Sequence, residues 1–201
     1  KTAIRYYKKA IDNDKPRFQV YSALANVYGS TSKSDSAIYF YKKAILISKK
    51  EKALIYTAND LSNLSLVYVG LNKTTEAKTA IDESLQLINQ YQFEYIRNIA
   101  YVNAAMVYKA LREYEKSEQY ALDALKMDAS LNNAYTQKSI WGTLAEIYEI
   151  QKKYDLALNA YKNFMTASDT LQNQDKKVEL TRKVMQYESD KRQALATAEI
   201  E

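Results

Sequence analysis

The sequence predicts an all-α fold, a solenoid of antiparallel helix pairs ending in a long C-terminal helix. Three observations carry that expectation. Of 201 residues only 3 are Gly and 1 is Pro, too few turn residues to punctuate the short strands of a sandwich or barrel. Apolar residues recur at helical offsets of three, four and seven. One pattern also returns every 40 residues, with Tyr28, Tyr68, Tyr108 and Tyr148 in register, and a fixed period of that size marks stacked supersecondary units.

Each element follows from that register. The opening Ala3-x3-Tyr7-x2-Ala10 reads as the second helix of a partial first repeat spanning 1–16, and four copies of about 40 residues follow, completing an array over 1–167. Seven residues before each signature Tyr stand Tyr21, Leu61, Tyr101 or Trp141, and four before it Leu24, Leu64, Ala104 or Leu144. These offsets put Tyr21, Leu24, Ala25 and Tyr28 on one face of a first helix. Nine residues after the Tyr come Ala37, Ala77, Ser117 or Ala157, and four further Tyr41, Ile81, Ala121 or Tyr161, the stripe of a second helix. Small residues at the crossing let two backbones approach while aromatic side chains fill the groove beside them. Ala104, Ala121 and Phe164 depart from the pattern in size.

Between the stripes, Gly29-Ser-Thr-Ser-Lys-Ser34 and Gly70-Leu-Asn-Lys-Thr-Thr75 read as turns. Ser34-Asp35 and Thr75-Glu76 suit helix starts, through side-chain capping and an acid at the positive end of the helix dipole. A single pair cannot bury its apolar face alone, so the copies stack, giving about ten helices in all. From 168 to 201 the pattern changes. Asp169-Thr-Leu-Gln-Asn-Gln-Asp175 opens a long helix with apolar Leu171, Val178, Val184, Met185, Tyr187 and Leu195, and Glu179 with Lys183 suits an i,i+4 pair. Two roles stand open for it: a cap over the last repeat that becomes a solvated overhang, or the start of a coiled coil through which two chains pair as a homodimer.

Composition narrows function from the other side. The chain has no Cys and no His, which removes the usual zinc sets, haem ligation, disulfides and every Ser-His or Cys-His nucleophile. Three scattered glycines cannot build a phosphate-cradling loop. No catalytic residue, metal or cofactor is expected. The carboxylate pairs Glu146/Glu149 and Asp12/Asp14 read as solvated acids. The net charge of +5 comes from 29 basic and 24 acidic residues interspersed along the chain, not from the basic stripe that nucleic-acid binding needs. Of the 19 Tyr, Tyr7, Tyr21, Tyr28, Tyr41, Tyr68, Tyr101, Tyr108, Tyr114, Tyr148, Tyr154 and Tyr161 occupy packing positions of the repeat. The longest apolar run, Ala44 to Ile47, is far below the ~18 residues of a membrane span. A start at Lys1, already helical in pattern, reads as a fragment of a longer protein.

The order aromatic-x2-Leu-small-x2-Tyr, then Ala-x3-aromatic-x2-Ala, resembles the tetratricopeptide repeat. It is fullest in Tyr21-x2-Leu24-Ala25-x2-Tyr28…Ala37-x3-Tyr41-x2-Ala44 and in Trp141-x2-Leu144-Ala145-x2-Tyr148…Ala157-x3-Tyr161. The copies are longer than that family's and lack its terminal Pro. The resemblance implies a right-handed superhelix whose first helices line a concave groove for a peptide or protein partner. On the matching face stand Gln19, Ser22, Asn26, Asn59, Ser62, Asn63, Leu66, Ile99, Val102, Asn103, Met106, Lys109, Ser139, Gly142, Glu146 and Glu149. The candidate ligand residues are Asn26, Asn59, Asn63, Leu66, Ile99, Val102, Asn103, Met106, Lys109 and Glu146. Asn63 and Asn103 share one repeat position, where an amide can offer a donor and an acceptor to an extended backbone, or equally bond solvent or a neighbouring helix. The cations with which the family clamps a C-terminal carboxylate are missing, apart from Lys109. If the groove is used, Asn63→Ala with Asn103→Ala removes ligand binding and leaves the melting temperature nearly unchanged.

A finer resemblance concerns the junction after the repeats. Forty-residue copies rich in Lys, Asn, Tyr and Ser look like the sensor regions of bacterial two-component histidine kinases that carry such repeats, and Asp169-Thr-Leu171 and Tyr187-Glu-Ser-Asp-Lys-Arg192 resemble the helix leading to their membrane span and kinase. This implies a non-catalytic sensory region on the periplasmic side that passes a signal through its terminal helix. Cytoplasmic transcription regulators and constitutive assembly scaffolds with the same repeats are the alternatives.

Overall fold

The computed structural model describes residues 17–128 and 133–174, with positions 4, 5, 7 and 178. Most of the partial repeat 1–16, Asp12/Asp14, Glu179/Lys183 and the apolar positions from Val184 to Leu195 lie outside the described residues. Within them all regular structure is helical. The order is α1 (Phe18–Ser30), α2 (Ser34–Lys50), α3 (Leu54–Gly70), α4 (Thr74–Tyr91), α5 (Glu94–Ala110), α6 (Tyr114–Asp128) and α7 (Ala134–Ile150), then α8 over 154–174. Helix starts at Leu54, Glu94 and Ala134, and at Ser34, Thr74 and Tyr114, repeat every 40 residues. From α1 to α7 each helix packs on its chain neighbour, and the odd-numbered helices also pack on one another, α1 on α3, α3 on α5 and α5 on α7. Two parallel rows of helices result, which is the expected solenoid.

The repeat columns form the core. Leu24, Leu64, Ala104 and Leu144 are buried, as are Tyr28, Tyr68, Tyr108 and Tyr148. Burying one such leucine contributes about 2 kcal/mol. Among the described residues the core falls into two clusters, one from Leu24 to Tyr108 and one from Val102 to Ala160. Helix α5 belongs to both, with Ala100, Ala104 and Val107 facing back and Val102 and Ala105 facing forward. The signature tyrosines stack on the second helix where it offers a ring. Tyr28 lies 5.4 Å from Phe40 and Tyr108 5.5 Å from Tyr120, with the ring planes nearly parallel in both cases. Of the tyrosines expected to pack, Tyr154 and Tyr161 are exposed instead, because they sit on the outer side of α8 with no described helix beyond them.

A second pair of columns shows how copies differ without breaking the fold. In the α3–α4 copy, Ser84 Oγ donates to the Ala58 carbonyl at 2.6 Å. Forty residues on, the roles exchange: Asn98 Nδ2 of α5 donates to the Ala124 carbonyl of α6 at 3.1 Å. The first copy has buried Phe18 and Ala44 at the matching positions. The last has Lys138 over the Phe164 ring at 5.6 Å. Phe164 is large where earlier copies have Ala44, Ser84 and Ala124, and Gly142 makes room for it. A Cβ on Gly142 would lie 3.2 Å from the ring.

The turns differ from expectation. Gly29 and Gly70 lie in the last turns of α1 and α3 in helical conformation, and among the described residues the left-handed ones are Ser32, Lys52, Asn72, Gln92, Arg112 and Lys152. Each accompanies a backbone bond that closes the last helical turn, such as Lys33 N to Tyr28 O and Glu113 N to Tyr108 O, 3.0 and 2.9 Å, the Schellman arrangement. The caps also differ. α2 and α4 begin after Lys33 and Lys73, which make no side-chain cap bond, so Ser34 and Thr75 lie inside the first turn and do not cap. Asp35 and Glu76 still stand in that turn, where the dipole favours them. Asn133 does cap α7, accepting from the Tyr135 and Thr136 backbone N–H groups.

Candidate functional site

The face of the odd-numbered helices carries the candidate ligand residues, and 40-residue stacking brings them into rows that cross from copy to copy. At the first such crossing Phe18 and Tyr56 pack ring to ring at 4.9 Å. One turn along, Ser22 Oγ donates to Asp60 Oδ2 at 2.6 Å. A further turn along, Asn26, Asn63 and Leu66 meet with Gly29, Ser32, Ser34, Tyr41, Val67 and Gly70 around a cleft of about 480 Å³. The Tyr41 hydroxyl donates to Asn26 Oδ1, which engages the carbonyl end of this exposed amide. Gly29 and Gly70, which do not serve as left-handed turn residues, leave two positions in the wall of this cleft without a side chain.

Between α3 and α5 the shared asparagine position becomes a bond. Asn103 Nδ2 donates to Ser62 Oγ at 2.9 Å and reaches Asn63 Oδ1 at 3.4 Å. Asn103 is buried, whereas Asn63 is half-buried and also lines the cleft. Removing the Asn103 amide therefore leaves Ser62 without its donor in a closed seam, costing about 1 kcal/mol. The expectation that the double alanine variant keeps its melting temperature is corrected on that ground; Asn63→Ala alone is the cleaner change. Val102 is likewise buried, in the core between α5 and α7. Asn59 and Met106 are half-buried and Ile99 is exposed. Lys109 Nζ meets Glu146 Oε2 at 2.6 Å, so the single cation of the row already holds an acid. The exposed Glu149 accepts from the Tyr161 hydroxyl at 2.8 Å.

Asp60 is the residue that pattern reading passes over. It is 1% exposed, in a column whose other members are Val20, Ala100 and Ile140. One acid in an apolar column is the available signal. Burial pushes its carboxyl up to about 6, with the Ser22 hydroxyl opposing the rise. Burial, and then the Asp60 charge, likewise raise the Tyr41 phenol. A second cleft, of about 440 Å³, opens between α2 and α4 of the even-numbered row, with Ile45 and Leu46 of α2 and Leu64 and Tyr68 of α3 in its lining and the Lys49–Glu83 ion pair joining α2 to α4. Among the described residues no cluster of acids could hold a metal ion, and no helix is long and apolar enough to cross a membrane.

Comparison with known proteins agrees with this architecture. The family model described as tetratricopeptide repeat matches residues 18–51 and 99–131; those two stretches are similar to that repeat, and the copy built on Trp141 lies outside both. No curated protein matches. Among solved structures, BtubC (BKLC) from P. vanneervenii is similar at 17% identity, over 85% of this chain and 72% of that one, with a TM-score of 0.65. A Rap protein complexed with competence and sporulation factor is similar at 18% identity and TM-score 0.71, over 83% of this chain. The chain spans 48% of that Rap protein's length. A Podosopora anserina putative kinesin light chain with nearly identical TPR-like repeats gives 13% identity, over 84% of this chain and 83% of that one, with a TM-score of 0.57. Likeness at these identities establishes the fold.

Proposed function

We propose that the chain is a non-catalytic interaction module that binds an extended peptide or protein segment along its odd-numbered helices, centred on the Asn26–Asn63–Leu66 cleft. The cleft itself carries the reading: amide groups stand beside apolar Leu66 and Val67, with Gly29 and Gly70 in the same wall. Amides answer a ligand backbone, and the leucine and valine answer one apolar side chain. A Rap protein of like fold has been solved as a complex with competence and sporulation factor, which supports a ligand-holding use of such a solenoid. The test is a peptide-display selection on the purified chain, followed by calorimetry on the selected sequences. Asn26→Ala with Asn63→Ala is expected to weaken them about tenfold, the effect of two lost hydrogen bonds. Unchanged affinity for every selected peptide rejects the site.

The finer reading is the sensory region of a bacterial two-component histidine kinase, on the periplasmic side. It rests on the Asp169-Thr-Leu171 resemblance and on the continuity of α8, which runs unbroken through 154–174 with Leu171 buried. A ligand between the first copies and a helix leaving the last are joined by packed repeats, so a change at one end has a physical route to the other. The coding sequence beyond Glu201 decides it. A membrane span and kinase are expected there; a DNA-binding module points to a transcription regulator, and a partner co-purifying in fixed ratio points to an assembly scaffold.

A further inference from the structure

In the earlier copies, the second helix carries an apolar stripe that the next copy's first helix covers. Tyr41 and Ile45 on α2 are buried in this way, as are Ile81 and Leu85 on α4. The matching residues of α8 are Tyr161 and Met165, 42% and 56% exposed. Tyr154 and Leu158 lengthen the same stripe, 68% and 56% exposed. Steps of four, three and four residues put all of them on one helix face. This is a seam built like the covered ones and, among the described residues, lacking its helix. The described part of α8 does not turn back to supply one in the repeat register. α2 and α4 end at left-handed Lys52 and Gln92, where the chain turns back, whereas the equivalent Gln172 lies inside α8.

We propose that this stripe is a dimer interface, on which a second copy of the chain lays its own α8, antiparallel about a two-fold axis. Charge selects that occupant and its direction. Asp155 and Lys162 lie seven residues apart on the same flank of the stripe, and neither makes an ion pair within the described residues. In an antiparallel two-fold pair, like flanks face each other. Setting Leu158 against the second copy's Tyr161 brings Asp155 opposite the second copy's Lys162, and symmetry makes that contact twice. A parallel pair offers no such match.

Sedimentation equilibrium on the 201-residue chain tests this, with mass as the readout, so the result is independent of any ligand. The wild type is expected to dimerise and Leu158→Glu to be monomeric. Asp155→Lys and Lys162→Asp are each expected to weaken the dimer about tenfold or more, since each places like charges together twice. Mixed one to one, these two variants should pair with each other as tightly as the wild type does. All the altered residues are exposed, so helix content and melting temperature should not change. A wild type that stays monomeric up to about 1 mM, a dimer that survives Leu158→Glu, or charge variants that fail to rescue one another overturns the proposal.

Discussion

Asp60 is a carboxyl in a place built for a methyl group, and its energetics follow from that. Its folded value of about 6 stands above the ordinary 3.8. Between those values the folded state holds a proton that the unfolded chain releases, so its contribution to stability falls as pH rises through that window and is fully lost above it. The shift corresponds to roughly 3 kcal/mol at most. Asp60→Asn, which keeps a partner for Ser22, is expected to flatten the pH dependence of thermal stability between about pH 4 and pH 7 and to raise the melting temperature above that range. Equal pH slopes in both proteins would remove Asp60 from this role. At the other end of the solenoid, Gly142 and Phe164 form a matched pair. In a helix Ala is favoured over Gly by about 1 kcal/mol. Gly142→Ala should realise that gain fully in a Phe164→Ala background and lose most of it against the intact ring, a coupling that a double-mutant cycle in urea measures.

At the scale of elements, the turns carry unrelieved strain. Six non-glycine residues among those described adopt left-handed conformation, a state costing roughly 1–2 kcal/mol for most side chains. Asn72 bears it most easily, since its short amide bonds locally, whereas Arg112 and Lys152 have no such help. Arg112→Gly is therefore expected to raise unfolding free energy by about 1 kcal/mol, and Asn72→Gly by less; a lower urea midpoint for Arg112→Gly would contradict the assignment of that turn. In the sequence, Gly29 and Gly70 mark the right neighbourhood for a turn. The left-handed position itself is not legible there, because the Schellman bond chooses the residue after the helix end whatever its side chain.

At the scale of the whole molecule, the described residues form two cores joined through α5, and repeat arrays need not unfold in one step. Leu144→Ala removes a fully buried side chain from the second cluster, with an expected cost of about 3 kcal/mol. Hydrogen exchange should then show α6 to α8 losing protection well before α2 to α4; a uniform loss would mean that the two clusters unfold as one unit. The same layout explains how much of the candidate groove is legible in the sequence. Asn26, Asn63 and Leu66 follow from their repeat positions and do share a cleft. Val102 and Asn103 stand on the same helical face, yet both are buried, because the neighbouring first helices close over them.

The amino-acid order alone determined the helix pairs, their 40-residue register and the stacking of copies, since periodic apolar columns are a local property that any helix projects onto one face. It also excluded the chemistries that need Cys or His. Only tertiary structure decided which amides remain open and which are tied across a seam, that Asp60 is desolvated, that Gly142 receives Phe164, and that no described helix covers the α8 stripe. Those outcomes depend on the distance between helices far apart in the chain, set by the packing of all neighbours together and not encoded in the spacing within any one repeat.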